Sequence, residues 1–176
     1  MGERLFFALW PDETTRATIA RRLPEWTAGV DGRLQRPDQW HVTLEFIGTV
    51  DARARAALQV AADRVPMPAF ELRFDRCEHW RKARVACLVA CVNPEPLARF
   101  VTQLRAAVAT AGLEPERRTY HPHLTLARKV RTGTDLAVSP PLVWPATGFA
   151  LVRSSSEPAG SRYEPVHWWN GVTRGG

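Results

Sequence analysis

The sequence has no apolar run long enough to cross a membrane, and it has few cysteines. A membrane helix needs about 20 consecutive apolar residues, and residues 1–7 lack the apolar region of a secretory signal peptide. The three cysteines form no Cys-x-x-Cys pair, so neither a disulfide framework nor a zinc knuckle is indicated. The sequence contains no Gly-x-x-x-x-Gly-Lys-Ser/Thr loop, which argues against an ATP-driven reaction. We therefore expect a cytoplasmic protein with reduced thiols, no membrane partner and no bound metal.

Basic residues outnumber acidic ones, with 24 Lys and Arg against 18 Asp and Glu and a net charge of +6. A polyanionic partner fits this excess, and an arginine-rich proteome fits it equally well. A chain of 176 residues with 45% hydrophobic composition can bury a sizeable core. We expect one domain spanning residues 1–176.

Helical and strand patterns follow one another irregularly. Apolar spacing and capping residues predict helices over residues 12–28, 51–65 and 93–111. Strands are predicted over residues 5–10, 41–47, 70–74, 84–92, 123–128, 149–152 and 163–169, with a loop over 154–160. In the first helix the residues at helical spacing are Ala17, Ala20, Leu23 and Thr27. Because strands and helices do not alternate regularly, an α+β fold is favoured over a doubly wound one.

A four-residue pattern, His-x-Thr-Leu, occurs at His41–Leu44 and again at His123–Leu126, almost half the chain length apart. Residues i and i+2 of a strand point to the same face, so each histidine shares a face with the threonine two positions on. Leu44, Phe46, Leu124 and Leu126 are then expected to face the core. The repeat indicates two related halves that bring two imidazoles and two hydroxyls together across a cleft.

Two imidazoles and two hydroxyls around one small anion suit phosphoryl chemistry. A cyclic phosphodiester needs a base to activate water on one side of phosphorus and an acid to protonate the departing oxygen on the other. Imidazole is available in both protonation states near neutral pH, so His41 and His123 can share these tasks. Thr43 and Thr125 can hydrogen-bond the nonbridging oxygens as negative charge accumulates there.

The two His-x-Thr-Leu segments, within His41–Gly48 and His121–Arg128, resemble the motifs of the two-histidine (2H) phosphoesterase superfamily. The chain is most similar to its RNA 2',3'-cyclic phosphodiesterases, also called 2'-5' RNA ligases. The likeness extends from Phe6 to the strand at Tyr163. It implies a bilobal α+β fold with pseudo-twofold duplicated lobes, antiparallel sheets around a central cleft and helices outside. It also implies hydrolysis of the cyclic end to a 2'-phosphate, without a metal or nucleotide cofactor.

The resemblance assigns roles to five residues of this sequence. Its catalytic histidines match His41 and His123, its motif hydroxyls match Thr43 and Thr125, and the arginine after its second motif matches Arg128. It favours His123 as the base and His41 as the acid. Strict strand alternation would place Arg128 on the face opposite His123, so contact with phosphate requires a bulge or a long reach.

Other polar and aromatic residues have weaker claims to a role. The histidines outside the motifs are expected at the surface or behind the site: His79, His121 and His167. Arg117 and Arg118 are expected to form a solvated basic edge that guides RNA. The candidates for base stacking are Trp40, Phe46 and Tyr120. Cys87 and Cys91 are expected to lie on the same face of one strand. The sequence offers no third or fourth metal ligand beside them, so no metal site is expected there.

Three alternative functions stay open at this point. An ATP-independent ligase would use the same chemistry with a 5'-hydroxyl in place of water. A noncatalytic nucleotide-binding module could use the same scaffold, although both histidines are retained. A phosphoesterase for a small cyclic nucleotide or an ADP-ribose derivative would differ in pocket size. The expected partner is RNA with 2',3'-cyclic phosphate ends, with tRNA fragments and cyclic nucleotides as specific candidates, and the expected state is a monomer.

Overall fold

The computed structural model describes residues 2–157 and 160–171, in which nine strands and three helices are found. The strands are β1 (Glu3–Leu9), β2 (Asp31–Leu34), β3 (Val42–Val50), β4 (Phe70–Trp80), β5 (Val85–Val89), β6 (His123–Thr132), β7 (Leu136–Ala146), β8 (Gly148–Glu157) and β9 (Gly160–Asn170). The helices are α1 (Glu13–Trp26), α2 (Ala52–Ala62) and α3 (Glu95–Thr110). No helix in this described part of the chain is both long enough and apolar enough to span a membrane.

The strands follow the order β7-β4-β5-β6-β3-β1-β8-β9, with β2 beside β6, and the paired strands are antiparallel. Strands β6 and β3 meet at one residue pair, Leu124 opposite Val42. The order is symmetrical about this pair, because β6 matches β3, β5 matches β1, β4 matches β8 and β7 matches β9. The expected α+β fold with two pseudo-twofold lobes is therefore confirmed.

The two lobes are not the two halves of the sequence. Strands β1 and β3 from the first part of the chain share a lobe with β8 and β9 from its end, while the middle of the chain forms the other lobe. The helices cross between lobes. Helix α1, which follows β1, packs against β7, whereas α3, which follows β5, packs against β3 and α2.

Strand alternation divides apolar side chains between two faces of the sheet. On one face Phe7 and Leu88 belong to a large core that also contains Phe100 of α3 and Trp26 of α1. On the opposite face Phe6 belongs to a small cluster in one lobe, and Val85 and Cys87 belong to another small cluster in the second lobe. The helices thus cover one face, and the other face is left to line a cleft.

Local signals placed the starts of α1 and α2 correctly. The side chain of Asp12 accepts a hydrogen bond from Thr15 N, and that of Asp51 accepts one from Ala54 N, as helix-capping aspartates do. The buried face of α1 differs from the expectation: Thr15, Ile19 and Trp26 are buried, while Ala17 and Ala20 are exposed. The larger side chains of Ile19 and Trp26 bury more apolar area than the alanines, which sets the rotation of the helix.

The observed strands differ from the sequence-based expectation at β2, at β7 and over residues 154–160. Strand β7 was not predicted because it contains Pro140, Pro141 and Pro145, which normally argue against a strand. It lies at one end of the strand order, where a missing backbone donor is tolerated. The expected loop over 154–160 is wrong at 154–157 and at Gly160, where β8 and β9 form a hairpin, and residues 158–159 lie outside the described residues.

Leu124 is fully buried where the two lobes meet. Leu124→Ala should lower the free energy of unfolding by about 2–5 kcal/mol, because it removes buried methyl groups and leaves a cavity. Val60→Ala is the matched control, since Val60 is 57% exposed, and its effect should stay within about 0.5 kcal/mol. Urea denaturation followed by circular dichroism measures both. Similar losses in the two variants would contradict a packed junction at this position.

Candidate active site

The two motif histidines line one cavity of about 410 Å³ on the cleft face of the sheet. His41 immediately precedes β3, and His123 is the first residue of β6. Because these strands pair antiparallel at Val42 and Leu124, the register carries His41 towards Thr125 and Thr43 towards His123. All four of these motif side chains line the cavity.

Each catalytic candidate has one ring nitrogen fixed by the backbone. Nδ1 of His41 lies 2.7 Å from the carbonyl oxygen of Gln39, and Nδ1 of His123 lies 2.8 Å from that of His121. A carbonyl oxygen only accepts, so each Nδ1 carries the proton and donates it. Nε2 of each neutral ring is then left unprotonated and available for proton transfer.

Gln39, which sequence reasoning missed, is itself held on both sides. Its side-chain nitrogen donates to the carbonyl oxygen of Ser161 at 2.6 Å, and its side-chain oxygen accepts from Arg36 N at 3.0 Å. The residue ends a short 3-10 turn, Pro37–Gln39, which is separated from His41 by one residue. The turn connects the first histidine to the β8–β9 hairpin, and a glutamine two residues before the motif is too common a feature to have revealed it.

Aromatic rings surround both imidazoles. His41 is stacked on Trp10 at 5.6 Å and contacts Phe6 at 5.0 Å and Tyr163 at 4.9 Å between ring centroids. His123 contacts Trp80 at 4.6 Å. These contacts fix the ring planes and remove water from the imidazoles. Phe6 and Tyr163 marked the limits of the family resemblance in the sequence. None of the four aromatic residues was predicted to contact an imidazole.

The surroundings of both histidines favour the neutral imidazole. Burial, and to a smaller extent the positive charge of Arg128, lower the pKa of His41 to about 4. Burial also lowers the pKa of His123, with Arg128 again the main charge acting on it. Both rings are therefore neutral at pH 7 before an anion binds. A bound phosphate would reverse this trend, because a nearby negative charge stabilises the protonated ring.

Arg128 lines the cavity because β6 contains a bulge. Opposite β5, Cys87 pairs with Thr125 and Ala86 pairs with Ala127, so Leu126 is an extra residue that shifts the alternation by one. The conflict between strand alternation and a role for Arg128 is resolved in this way. Its Nε donates to the side-chain oxygen of Gln35 at 3.3 Å, which orients the guanidinium.

Strand β3 contains the equivalent bulge. Opposite β1, Ala8 pairs with Thr43 and Phe7 pairs with Glu45, which makes Leu44 the extra residue. Phe46 consequently occupies the position in the first motif that Arg128 occupies in the second. The expectation that Phe46 faces the core is wrong, because the bulge turns it to the cleft face, where it is 48% exposed and lines the cavity. One lobe thus contributes a cation at this position, and the other contributes an aromatic face.

A side pocket of about 240 Å³ adjoins the main cavity and shares Thr43, Phe46, Trp80 and His123 with it. Tyr120 lines this pocket, and its buried hydroxyl has no hydrogen-bond partner among the described residues. Of the three proposed stacking residues, Phe46 and Tyr120 are therefore beside the site. Trp40 is not, because it is 1% exposed and belongs to the core.

A buried carboxylate connects the first motif strand to the segment before the second motif. The side chain of Glu45 has no exposed area and forms an ion pair with Arg105 at 2.9 Å. It also accepts a hydrogen bond from the backbone nitrogen of Glu116, and Arg105 donates to the carbonyl oxygen of Arg118 at 2.9 Å. Sequence reasoning missed this network because a charged residue on a strand is normally assigned to the solvent face.

The remaining candidates fall outside the cavity. Arg117 and Arg118 form ion pairs with Glu114 and Glu116, so the expected basic edge is largely neutralised there. His121 lines only the side pocket, His79 lines a separate pocket, and His167 contacts Trp169. The side chains within 2–157 and 160–171 include no group of three or more His, Cys, Asp or Glu that could hold a metal ion.

Cys87 lies beside the second motif, with its sulfur 3.9 Å from the hydroxyl of Thr125. Burial raises the pKa of its thiol to about 12. The thiol is therefore protonated at neutral pH and lacks the thiolate that nucleophilic catalysis requires. Cys77 and Cys91 are also unpaired thiols.

A two-lobed α+β fold in which each lobe supplies a histidine and a threonine to one cleft defines a two-histidine phosphoesterase architecture. The family model described as the 2'-5' RNA ligase superfamily matches residues 12–157, and the chain belongs to this superfamily.

Individual relatives cover nearly the whole chain. The RNA 2',3'-cyclic phosphodiesterase of Escherichia coli is 32% identical over 95% of this chain and 96% of its own length. A protein of the same name from Thermus thermophilus is 29% identical over 91% of this chain and 86% of its own length. The crystal structure of E. coli LigT complexed with 3'-AMP matches with a TM-score of 0.88 and 30% identity, covering 98% of this chain and 100% of that one.

The histidine surroundings predict that both imidazoles titrate below the ordinary pKa of about 6.5, His41 at about 4. Arg128→Gln should raise both values, because it removes the main positive charge acting on each ring. Arg73→Gln, on the exposed side of β4, is the control and should change neither value. Histidine NMR titration of the ligand-free protein measures them. Ordinary values for both rings in the wild-type protein would contradict this description of the site.

The same pKa shifts determine the direction in which the free energy of unfolding changes with pH. Since the folded-state pKa values are depressed, folding favours the neutral rings. Their contribution is complete above the unfolded value of about 6.5. The contribution of His41 is lost as the pH falls towards about 4, and that of His123 is lost as the pH falls through its own lowered pKa.

Proposed function

We propose that this chain hydrolyses RNA 2',3'-cyclic phosphate ends to 2'-phosphates, with His41 and His123 as the general acid and base. The observation that carries the proposal is that both histidines have Nδ1 fixed by a backbone carbonyl and line one cavity with Thr43 and Thr125. The naming of the Escherichia coli and Thermus thermophilus relatives as RNA 2',3'-cyclic phosphodiesterases supports this substrate class.

The proposed reaction is an in-line displacement at phosphorus. Nε2 of His123 takes a proton from water as the water oxygen attacks phosphorus. The bond between phosphorus and O3' breaks, and Nε2 of His41 donates a proton to O3'. The product has a 2'-phosphate and a free 3'-hydroxyl. His123 ends the cycle protonated and His41 neutral, so proton exchange with solvent restores the starting state.

The acid needs a proton that its surroundings disfavour in the free protein. Burial holds the pKa of His41 at about 4, but the negative charge of the cyclic phosphate stabilises the protonated imidazole. Binding of the substrate would therefore load the acid. The rate should depend on pH as a bell, whose limbs in kcat/KM lie at lower pH than two ordinary histidines would give.

The remaining cavity groups would bind the phosphate rather than move protons. The guanidinium of Arg128 and the hydroxyls of Thr43 and Thr125 can donate hydrogen bonds to the nonbridging oxygens as charge develops. This set supplies charge stabilisation and both proton transfers from side chains. We therefore propose a reaction that needs no metal or nucleotide cofactor.

The wider assignments are also proposals. We propose that residues 1–176 form a single domain made of two lobes, because helices and strands of both lobes share one hydrophobic core. We further propose that the chain acts as a monomer in the cytoplasm. Fragments of tRNA and small cyclic nucleotides are candidate substrates of the cleft.

Removing either imidazole should abolish turnover without unfolding the protein. His41→Ala and His123→Ala are each expected to lower kcat by at least about 100-fold, because general acid–base catalysis contributes roughly 10²–10⁴-fold. His167→Ala is the matched control, since His167 lies outside the cavity, and it should retain wild-type turnover. The assay follows RNA with a 2',3'-cyclic phosphate end in the presence of EDTA and identifies the position of the product phosphate.

Near-wild-type turnover by either histidine variant would contradict the two-histidine mechanism.

Thr43→Val and Thr125→Val should lower turnover less than the histidine variants do, by about 10- to 100-fold, because each removes one hydrogen bond to a charged group. Joined RNA in the same assay would favour the ligase alternative, in which a 5'-hydroxyl replaces water.

The direction of proton transfer can be tested with a 3'-thio cyclic phosphate. A thiolate departs without a proton more readily than an alkoxide, because a thiol has a pKa of only about 8.5. His41→Ala should therefore regain much of its lost rate on this substrate, whereas His123→Ala should not. The ratio of single-turnover rates on the sulfur and oxygen substrates gives the result. Rescue of His123→Ala alone would reverse the acid and base.

A further inference from the structure

A second concave surface of about 580 Å³ lies on the other side of the β4–β5 hairpin from the catalytic cavity. Its chemistry is set by His79, Arg81, Arg84 and Arg131, and we call it the basic pocket. None of these four residues was assigned a function from the sequence motifs. None of these four residues lines the catalytic cavity in which the proposed reaction takes place.

The hairpin presents its arginines from a fixed backbone. Trp80 pairs with Val85 at the base of the turn, and Arg84 N donates to the carbonyl oxygen of Arg81 at 3.2 Å. The carbonyl oxygen of Arg84 accepts from Val130 N of β6 at 3.0 Å. Arg84 has a φ of 55°, a left-handed conformation that these backbone bonds hold in place. The turn is thus anchored to the strand that contains the second motif.

The same hairpin forms part of the catalytic cavity. Trp80, Ala83 and Val85 line that cavity, while Arg81 and Arg84 line the basic pocket. In addition, Val85 pairs with Arg128 across the sheet. The catalytic cavity and the basic pocket are therefore both lined by residues of the β4–β5 hairpin.

The hairpin also has an excess of unpaired positive charge. Arg131 pairs with Asp31 at 2.7 Å. Arg81, Lys82 and Arg84 form no ion pair with a side chain in the described part of the chain, in contrast to Arg117 and Arg118, which pair with glutamates. Nε2 of His79 is buried and has no hydrogen-bond partner among the described residues. The pocket wall thus offers cations to an anionic ligand, while the unpartnered Nε2 of His79 lies buried behind its surface.

We propose that the basic pocket binds backbone phosphates of the RNA strand that leads into the catalytic cavity. This inference rests on the proposed function. A 2',3'-cyclic phosphate terminates its strand, so all remaining nucleotides lie on its 5' side and leave the cavity in one direction. The arginines of the hairpin neutralise phosphates along that path, which makes a longer RNA a better substrate than a cyclic mononucleotide.

The test compares two charge-matched double variants of the full chain. Arg81→Gln/Arg84→Gln removes two charges from the hairpin, and Arg53→Gln/Arg64→Gln removes two charges from exposed residues near α2. One substrate is a single-stranded oligonucleotide with a 2',3'-cyclic phosphate, and the other is a cyclic mononucleotide. Fluorescence anisotropy with the oligonucleotide ending in a 2'-phosphate measures binding over a range of salt concentrations, independently of catalysis.

The hairpin variant should lose about 10-fold in kcat/KM on the oligonucleotide through KM, with turnover of the mononucleotide unchanged. Its slope of log affinity against log salt should flatten by about 1.4, since each phosphate contact to a single strand contributes about 0.7. The control variant should resemble the wild type in both measurements.

Equal losses on both substrates, no loss on either, or an equal loss in the control variant would overturn the proposal. Competition by polyglutamate as strong as that by RNA of equal charge would also overturn it, because the pocket would then be a general anion surface. A wild-type protein that binds the oligonucleotide through the hairpin but hydrolyses neither substrate would instead contradict the proposed function and leave the binding site standing.

Discussion

Strands β3 and β6 form a single backbone pair, Val42 with Leu124, and each strand contains a bulge two positions further along. The pair sets the distance between the motifs, and the bulges at Leu44 and Leu126 change which side chains face the cleft. Without the bulges, Phe46 and Arg128 would point into the opposite face of the sheet. The composition of the cavity therefore depends on two backbone irregularities that repeat with the motif.

The pseudo-twofold arrangement makes the two imidazoles equivalent in their backbone contacts, since each donates through Nδ1 to the carbonyl oxygen two residues earlier. Any difference between acid and base must come from what surrounds them. His41 is enclosed by Phe6, Trp10 and Tyr163, whereas His123 contacts Trp80 alone among aromatic rings of the described residues. The symmetrical strand order gives both imidazoles the same backbone contact, and unequal packing gives them the different surroundings that the proposed directional proton transfer needs.

The sequence predicted the parts of this molecule that depend on short-range patterns. Strand periodicity and the His-x-Thr-Leu repeat were sufficient to identify the motif strands, and Asp12 and Asp51 marked two helix starts. Contacts between segments that are far apart in the sequence could not be predicted from it. The ion pair of Glu45 with Arg105 joins β3 to α3, and the hydrogen bond from Gln39 to Ser161 joins the first histidine to the end of the chain. Such contacts depend on which strands become neighbours, which residue spacing does not specify.

Strand β7 shows a second limit of sequence reasoning. Its three prolines each remove a backbone donor, and the local pattern therefore argues against a strand. The position of β7 at the end of the strand order makes those missing donors harmless. A rule that holds for central strands failed because edge position is a property of the whole sheet.

Helices α1 and α3 each pack against the lobe that does not contain the strand before them, and this arrangement affects whether either lobe can fold alone. Helix α1 covers a strand of the lobe that β1 does not belong to, and α3 does the same in the opposite direction. Either lobe made alone would leave apolar strand surface without its covering helix, and the released helix would have no partner. We therefore expect the cleft to form only when both lobes are present, and cutting the gene at its midpoint should yield two fragments that each lack part of the shared core.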